Sequence, residues 1–302
     1  MTKKNKKCGY AAVLGRPNVG KSTLINQIIQ QKLSIVSHKP QTTRHQILAI
    51  HTTDRGQLIF IDTPGIHNQK GTALNKHLNQ TAQSSSFGVD VVLFLVEAMK
   101  WTDEDKRAAK VACRSDGKKI LVINKVDKVK HKEQLLTFVQ TILNEFEFDA
   151  IHYISALKNK QITPLEDSVF DYLPEGEPIF DEDQVSDRST QFFVSELIRE
   201  QLMLRFHQEL PYSTSVSIEQ YEVKGVIHHI HAIIWVERKN QKGIVIGRQG
   251  EALKQIGVKS RKEIEQFIGA RVNLKLWVKV QSSWTDDAKA IDALGYQDTF
   301  KD

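Results

Sequence analysis

A glycine-rich loop near the amino terminus carries the residue types best suited to bind phosphate. It reads Gly15-Arg-Pro-Asn-Val-Gly20-Lys21-Ser22 and matches the pattern G-x-x-x-x-G-K-[ST]. Glycines let successive backbone amides converge on phosphate oxygens, and a helix that begins after the loop adds a favourable dipole. Lys21 is predicted to reach the outer phosphates, and the Ser22 hydroxyl to bind Mg²⁺. The alternative is a glycine turn before an ordinary helix. The residues expected to contact the nucleotide here are Gly15, Arg16, Pro17, Asn18, Val19, Gly20, Lys21, Ser22 and Thr23.

A second motif, Asp62-Thr-Pro-Gly65, directly follows an apolar run. Asp62 is predicted to hold Mg²⁺ through water, and the Gly65 amide to sense the terminal phosphate. Between this motif and the loop lies the polar stretch Pro40-Gln-Thr-Thr-Arg-His45, where a switch segment is expected. Thr43 is our choice for the threonine that closes on Mg²⁺, with Thr42 as the second choice and a plain surface hydroxyl as the alternative. The candidate contacts in the second motif are Asp62, Thr63, Pro64 and Gly65.

Two later motifs select the base. Asn124-Lys-Val-Asp127 and Ser155-Ala156 each end an apolar run. The Asp127 carboxylate can accept hydrogens from N1 and the exocyclic amine of guanine, a pattern that adenine does not offer. Lys125 is expected to pack along the base, and the Ala156 amide to meet the guanine oxygen. The base contacts are thus predicted at Asn124, Lys125, Asp127, Ser155 and Ala156, and the catalytic residues are predicted as Lys21, Thr43 and Gly65.

The elements around these motifs predict a parallel sheet. Up to residue 173, short apolar runs alternate with segments of helical period, which indicates an α/β fold with helices on both faces of the sheet. The motifs follow strands, and the carboxyl ends of parallel strands meet at one edge, where ligands bind. We therefore predict a P-loop G domain over 1–173. In the helix predicted at 102–115, Thr102 and Asp105 form an N-cap box, and the carboxylates there are first-turn charges rather than a catalytic cluster.

The second half changes pattern. Residues 174–189 are acidic and contain proline and glycine, as expected of a linker. Helix, two strands, two helices and a strand follow, which predicts an α+β domain over 190–283 and a terminal helix and tail over 284–302. Val245-Ile-Gly-Arg-Gln-Gly250 supplies a G-x-x-G turn between helices, typical of the KH clamp on single-stranded nucleic acid. The predicted RNA contacts are Lys242, Ile246, Gly247, Arg248, Gln249, Gly250 and Lys254.

Charge supports this location for a polyanion. The 302-residue chain has a formal net charge of +6, whereas residues 238–279 hold eleven Lys or Arg against three Glu. The two cysteines are far apart, which favours a reducing compartment without disulfides. No run approaches the roughly 20 apolar residues of a membrane span, so a cytoplasmic protein is expected. The three histidines at 228, 229 and 231 are assigned to a partly exposed strand face, or to phosphate contacts, rather than to a metal. Trp277 is assigned to the core and Trp284 to a ring buried beside a turn, with base stacking as the alternative for both.

Together, GRPNVGKS, QTTRH, DTPG, NKVD and the VIGRQG turn resemble the bacterial Era GTPases over nearly the whole chain. The resemblance implies a Ras-like G domain of the TrmE-Era-EngA type and a type II KH domain. It implies binding of GTP, GDP and Mg²⁺ and of small-subunit (16S) ribosomal RNA near its 3′ end. A role in maturation of the small (30S) ribosomal subunit follows from the same likeness, as does a monomer with at most weak peripheral contact with the inner face of the membrane.

The position after Gly65 departs from Ras-type enzymes. Ile66 stands where a glutamine would orient water, so slow intrinsic hydrolysis is predicted. His67 is disfavoured as a general base, because phosphoryl transfer relies mainly on positioning and charge stabilisation. Asn18 resembles the asparagine that binds K⁺ in related GTPases, with a plain turn residue as an equal alternative. Three classes of function are considered: an enzyme used as a switch, a nucleotide-gated RNA-binding assembly factor, and, least supported, a membrane-surface regulator.

Overall fold

The computed structural model describes residues 6–37, 39, 42–65, 73–84, 88–287 and 291. These residues form two compact units. The first comprises Met1–Ser34, Thr43–Lys70 and His77–Asp187, and the second comprises Ile35–Thr42, Gly71–Lys76 and Arg188–Asp302. Each unit is built around its own hydrophobic core.

A six-stranded sheet forms the centre of the first unit, with the order β2-β3-β1-β4-β5-β6. All neighbours are parallel except β2 and β3. The strands are β1 (Lys7–Leu14), β2 (Ile47–Thr53), β3 (Gly56–Asp62), β4 (Val91–Glu97), β5 (Lys118–Asn124) and β6 (Ala150–Tyr153). The α/β class predicted from the sequence is confirmed, and the one antiparallel pair arises because β2 and β3 are joined by a tight turn.

Four helices connect these strands, and a fifth follows β6; they are α1 (Lys21–Ile29), α2 (Ala73–Ser84), α3 (Asp103–Ala112), α4 (Gln134–Leu143) and α5 (Ile162–Tyr172). The central strands β3 and β4 are buried along their whole length, as expected for strands covered on both faces. The predicted capping box is confirmed, since the Thr102 side chain accepts from the Asp105 amide while the Asp105 carboxylate accepts from the Thr102 amide. The phosphate loop follows β1, and the base motifs follow β5 and β6, so all three lie at the carboxyl ends of parallel strands.

The segment predicted as a linker over 174–189 belongs to the first unit as far as Asp187. The buried Gln57 side chain on β3 accepts hydrogen bonds from the amides of Ile179 and Phe180, both at 2.9 Å. Further along, the Ser186 hydroxyl donates to the carbonyl of Leu48 on β2. This acidic segment is therefore fixed to β2 and β3 by hydrogen bonds between side chains and backbone that its composition does not reveal.

The second unit contains α6 (Thr190–Arg205), β7 (Thr214–Lys224), β8 (Ile227–Val236), α7 (Lys239–Ile246), α8 (Glu251–Ile268) and β9 (Arg271–Val280). The sheet order is β7-β8-β9, with β8 antiparallel to β7 and parallel to β9. Side chains from all three helices share one core with alternate residues of the strands, among them Val272 and Val278. A KH-type arrangement of one helix, two strands, two helices and one strand results, as the sequence predicts.

The two tryptophans near the carboxyl end differ in their outcome. Trp284 is fully buried and its indole Nε1 donates to the Ser213 carbonyl at 3.0 Å, so the predicted burial is confirmed. The assignment of Trp277 to the core is wrong, because its side chain is 41% exposed. Trp277 has the parity of the polar residues of β9, on the sheet face opposite the core. Most of the terminal helix predicted after Thr285 lies outside the described residues.

Candidate functional site

The glycine-rich loop joins the end of β1 to the first residue of α1, as predicted. Gly15 and Gly20 have φ values of 151° and 109°, which L side chains rarely adopt. A Cβ at Gly20 would lie 2.3 Å from Nδ2 of Asn124, and one at Gly15 would lie 2.5 Å from the Leu95 carbonyl. Glycine is therefore required at both positions by backbone conformation and by close packing against the neighbouring strand ends.

The Lys21 side chain is hydrogen-bonded to the backbone of the phosphate loop. Its Nζ donates to the carbonyl oxygens of Gly15 at 3.0 Å and Arg16 at 3.1 Å, and the side chain is buried. Burial lowers the pKa of Lys21 to about 8, with the Asp62 carboxylate acting in the opposite direction. An ammonium group held in this way is available to exchange its carbonyl partners for phosphate oxygens.

Three oxygen-bearing side chains meet at the start of α1. The Ser22 hydroxyl lies 2.9 Å from Oγ1 of Thr43 and donates to Oδ2 of Asp62 at 3.1 Å. Thr42, the second choice, has its hydroxyl at 2.6 Å from the Lys39 carbonyl and from the Ser37 hydroxyl. The structure thus brings Thr43 rather than Thr42 to Ser22.

This oxygen cluster fits a magnesium ion. Asp62 is fully buried, and among the described residues its Oδ1 atom has no hydrogen-bond partner. Burial raises the pKa of Asp62, while the Lys21 charge and the Ser22 hydroxyl lower it. Carboxylate and hydroxyl oxygens are the ligands that Mg²⁺ prefers, usually with waters retained in its shell. Ser22, Thr43 and Asp62 are therefore able to hold the metal predicted from the sequence.

The base motifs converge on one another through Asn124. Its Nδ2 donates to the Val19 carbonyl of the phosphate loop at 2.8 Å, and its Oδ1 accepts from the Ala156 amide at 3.0 Å. The Ser155 hydroxyl donates to the Asp127 carboxylate at 2.5 Å. Asn124 therefore ties the phosphate loop to both base motifs, while Ser155 orients the carboxylate. In this structure the Ala156 amide faces Asn124, so its contact with a guanine oxygen stays a prediction.

Lys125 connects the base motif to the phosphate loop a second time. It adopts a left-handed backbone with φ of 64°, and its Nζ donates to the Asn18 carbonyl at 2.6 Å. The same Nζ lies 2.8 Å from Oε2 of Glu97, the last residue of β4. These two contacts fix the Nζ end of the lysine and so restrict the orientation of its aliphatic chain, as packing of that chain along a base requires.

Glu97 and Asp105 are site residues that the sequence interpretation missed. Arg16 of the phosphate loop lies 3.4 Å from the Glu97 carboxylate and 3.0 Å from the buried Asp105 carboxylate. Burial alone would raise the pKa of Glu97, but hydrogen bonds from Lys100 and Lys125 lower it to about 2. Glu97 thus stays charged and links the phosphate loop to the base motif. A signal existed, because Glu97 ends an apolar run as Asp62 and Asn124 do.

The end of β3 supplies the remaining predicted contacts. The Thr63 hydroxyl donates to the Val13 carbonyl at 3.0 Å, which fastens the motif to β1. A Cβ at Gly65 would lie 2.9 Å from the Pro17 nitrogen, so the backbone of this motif passes close to the phosphate loop beside Pro64. Ile66 and His67 lie outside the described residues. The structure therefore brings Gly65 to the loop and leaves the two following positions as predictions.

In the second unit, the G-x-x-G turn joins α7 to α8 as expected. Gly247 has φ of 73°, and a Cβ there would lie 2.6 Å from the Ala252 Cβ; Gly250 has φ of 80°. Lys242, Arg248, Gln249 and Lys254 are exposed, and Ile246 is half-buried. Beside the turn is a groove of about 410 Å³, lined by Gly250, Leu253, Lys254, Gly257, Val258, Arg261, Leu274 and Leu276.

Only Gly250 and Lys254 of the predicted RNA contacts line this groove. The others surround the turn or lie on α7. The sequence interpretation missed the other groove residues, which are on α8 and β9. These two elements lie side by side because of tertiary packing, which the local sequence does not show. A groove with an apolar floor and with Lys254 and Arg261 at its wall suits a single strand with exposed bases and a charged backbone.

Two other searches bear on the predictions. Across residues 6–287, apart from the gaps stated above, there is no cluster of three or more His, Cys, Asp or Glu side chains that could hold a metal ion, and His229 and His231 are partly exposed, as the strand-face interpretation expects. None of the helices described is both long and apolar enough to cross a bilayer.

Comparison with family models finds one match in each half of the chain. Residues 10–125 match a model described as a 50S ribosome-binding GTPase, and residues 209–285 match a KH domain. The first range contains the phosphate loop and the motifs up to Lys125, and the second contains the G-x-x-G turn.

Relatives match over nearly the full length. GTPase Era of Stenotrophomonas maltophilia strain K279a is 47% identical over 290 residues, which cover 96% of this chain and 97% of the relative. GTPase Era of Azotobacter vinelandii is 45% identical over 300 residues, covering 99% and 100%. Two crystal structures, each 36% identical, cover 96% of this chain and 99% of theirs. One is an Aquifex aeolicus Era variant bound to GDP and AlF4⁻ (TM-score 0.92); the other is Era with MgGDPNP and nucleotides 1506–1542 of 16S ribosomal RNA (TM-score 0.93).

Proposed function

Because this chain belongs to the family of the Era GTPases, we propose that it couples its GTP cycle to binding of small-subunit ribosomal RNA. The chain is a GTP-binding protein and a GTPase with a KH domain. The observation that carries the proposal is the pairing of two complete sites in one chain: the phosphate, metal and base motifs joined through Asn124, and a G-x-x-G turn beside an apolar, basic groove.

Hydrolysis at the first site depends on positioning and charge. Lys21 and the backbone amides of the loop bind the outer phosphates, and Ser22, Thr43 and Asp62 supply oxygens for Mg²⁺. When bound, the metal neutralises charge that develops on the phosphates. The Gly65 amide lies in the segment that passes Pro17, where it can respond to the terminal phosphate. Because the segments that contain Thr43 and Gly65 are ordered by contacts with the terminal phosphate and Mg²⁺, their conformation differs between the GTP and GDP states.

Turnover at this site is proposed to be slow, because Ile66 has no group that can orient water. We further propose that K⁺ assists it through Asn18, an exposed loop residue with a left-handed backbone at φ of 66°. A monovalent cation beside the phosphates would add positive charge, as an arginine does in other GTPases. The expected result is faster turnover in K⁺ than in Na⁺ at equal ionic strength, with the difference lost in Asn18→Ala. Equal rates in the two salts would remove the cation from the proposal.

At the second site, the G-x-x-G turn is proposed to clamp RNA. The related Era protein bound to nucleotides 1506–1542 of 16S ribosomal RNA supports the choice of ligand. In this chain, two exposed residues, Arg248 and Gln249, occupy the middle of the turn, where they can meet a phosphate backbone. If the chain binds this RNA in only one nucleotide state, hydrolysis would release it, and the chain could assist maturation of the small subunit in that way. The monomeric state and any peripheral membrane contact stay predictions.

The test compares binding of a small-subunit 3′-end RNA to the full chain with a GTP analogue and with GDP. Arg248→Glu combined with Gln249→Glu is expected to weaken binding at least about tenfold, because two carboxylates would face phosphates. Lys259→Glu and Lys262→Glu together are a control, since both lie on the exposed surface of α8 outside the residues that line the groove. Fluorescence anisotropy with labelled RNA measures the affinities. Binding that is equal for unrelated RNA and insensitive to the turn variant would overturn the RNA part of the proposal.

A further inference from the structure

The KH-type sheet has a second face that the helices leave open. Odd-numbered residues of β8 and β9 point away from the core, which takes the even-numbered residues Ile230, Ala232, Ile234, Val236, Val272 and Val278. On the open face, the register places His231 beside Lys275, Ile233 beside Trp277, and Trp235 beside Lys279. Lys275, Trp277 and Lys279 therefore alternate along β9 on this face, and Trp235 lies beside Lys279 on the neighbouring strand, about 4.8 Å away.

The aromatic rings of this face are partly exposed and are oriented by their neighbours. Trp277 is 41% exposed, and its ring lies 5.1 Å from that of His231 in an edge-to-face arrangement. Trp235 is half-buried; its Nε1 donates to the Ser217 hydroxyl at 2.9 Å, and Lys279 lies 5.9 Å from its ring centroid. Trp277 therefore presents a partly accessible aromatic ring on this face, near the half-buried Trp235.

Charge on this face suits a polyanion. Arg271, Lys275 and Lys279 are exposed at every fourth position of β9, with the histidines 229 and 231 on the adjacent strand. Of the acids nearby, Glu222 lies 2.8 Å from Lys224, and Glu219 lies 3.3 Å from Lys279, so one lysine of this face already holds a carboxylate that an RNA phosphate would have to displace. The face is also separate from the groove beside the G-x-x-G turn, whose β9 residues Leu274 and Leu276 are on the core side.

We infer that this face, defined here as the outer sheet face (His229, His231, Trp235, Arg271, Lys275, Trp277 and Lys279), binds a second stretch of single-stranded RNA by base stacking on Trp277. Stacking platforms for single strands combine exposed aromatic rings with basic residues that follow the backbone. A protein partner would favour a larger apolar patch, and a lipid surface would favour protruding aliphatic side chains beside the lysines. The inference rests on the proposed RNA binding, because an RNA that binds in the groove brings its adjacent nucleotides close to the outer sheet face.

The experiment uses two RNAs and the full chain. One is a strand of about six nucleotides, sized for the groove, and the other extends the same segment to about 20 unpaired nucleotides. Trp277→Ala is expected to weaken binding of the long RNA roughly 5- to 150-fold, the range for one stacked base, and to leave the short RNA unchanged. Trp277→Phe should recover most of the loss, because it retains a stacking ring. Leu204→Ala is the matched control, since it removes an apolar side chain that is 52% exposed on α6.

Two further measurements separate stacking from altered folding and from charge. Lys275→Gln and Lys279→Gln should each reduce the slope of log affinity against log salt for the long RNA by about 0.7. Ultraviolet crosslinking followed by mass spectrometry should place the long RNA on Trp277, and thermal unfolding of Trp277→Ala should match that of the unaltered chain.

The outcomes distinguish the inference from the proposed function. If neither RNA binds the unaltered chain, the proposed function fails. If the short RNA binds, and Trp277→Ala weakens both RNAs equally or weakens neither, the outer sheet face is not an RNA surface. Vesicles of phosphatidylglycerol test the lipid alternative: binding that depends on Trp277, together with unaffected long RNA, would overturn the inference in favour of a membrane.

Discussion

Replacing Asp127 with asparagine is expected to move the nucleotide preference from guanine to xanthine. In the predicted complex the carboxylate would accept two hydrogens from guanine, and the Ser155 hydroxyl, which donates to it at 2.5 Å, fixes its orientation. An asparagine amide offers one acceptor and one donor, which suits the carbonyl that xanthine carries in place of the exocyclic amine. Hydrogen bonds to a charged group contribute about 1.5–3 kcal/mol each, so GDP affinity should fall roughly 10²- to 10⁴-fold.

Competition against a fluorescent nucleotide measures this change for GDP, XDP and ADP. Asp183→Asn is the matched control, because Asp183 is exposed in the segment after α5 and has no place in the site. Asp127→Asn should unfold at the same temperature as the parent chain, since Asp127 is exposed on a short turn. Unchanged discrimination between GDP and XDP in Asp127→Asn would contradict the assignment of base recognition to this carboxylate.

Lys21→Ala is expected to lower kcat/KM for GTP by at least about 10²- to 10³-fold, the loss typical of removing one donor that stabilises transition-state charge. The effect has two physical sources. The phosphates lose an ammonium group, and the carbonyl oxygens of Gly15 and Arg16 lose the donor that Nζ provides. Release of phosphate under single-turnover conditions, with affinity measured separately, divides the loss between binding and chemistry.

A matched control for this prediction is Lys110→Ala, which removes an exposed lysine from α3 of the same unit. Lys21→Arg adds a second comparison, because it keeps the positive charge while the larger guanidinium does not fit the buried space that Lys21 occupies. It should therefore be nearly as impaired as the alanine variant. If Lys21→Ala kept turnover within about twofold of the parent chain, the loop lysine would have no role in phosphate binding.

The sequence alone identified the chemistry of the nucleotide site. Each of its motifs directly follows a strand, and parallel strands bring their carboxyl ends to one edge, so residues far apart in the chain can be placed together without coordinates. The G-x-x-G turn was equally accessible, because glycine at 247 and 250 is needed for local backbone conformation. Local pattern and strand order were sufficient for these features.

Trp277 could also have been placed correctly from the sequence. In β9 the residues Val272, Leu274, Leu276, Val278 and Val280 share one parity, whereas Trp277 shares the parity of Arg271, Asn273, Lys275 and Lys279. Side chains of a strand alternate between faces, so a tryptophan among charged residues lies opposite the core. The assignment of Trp277 to the core rests on the apolar alternation of the strand, which predicts burial only for residues of the apolar parity.

Other features were decided only by the tertiary structure. The sequence does not show that Glu97 holds both Arg16 and Lys125, because that contact needs β4 to lie beside β1 and β5. Nor does it show that residues 174–187 follow the sheet, since their partners are the side chain of Gln57 and the Leu48 carbonyl. Local sequence sets backbone conformation and the parity of side chains, whereas pairings over more than 100 positions are chosen by how buried strands and helices pack together.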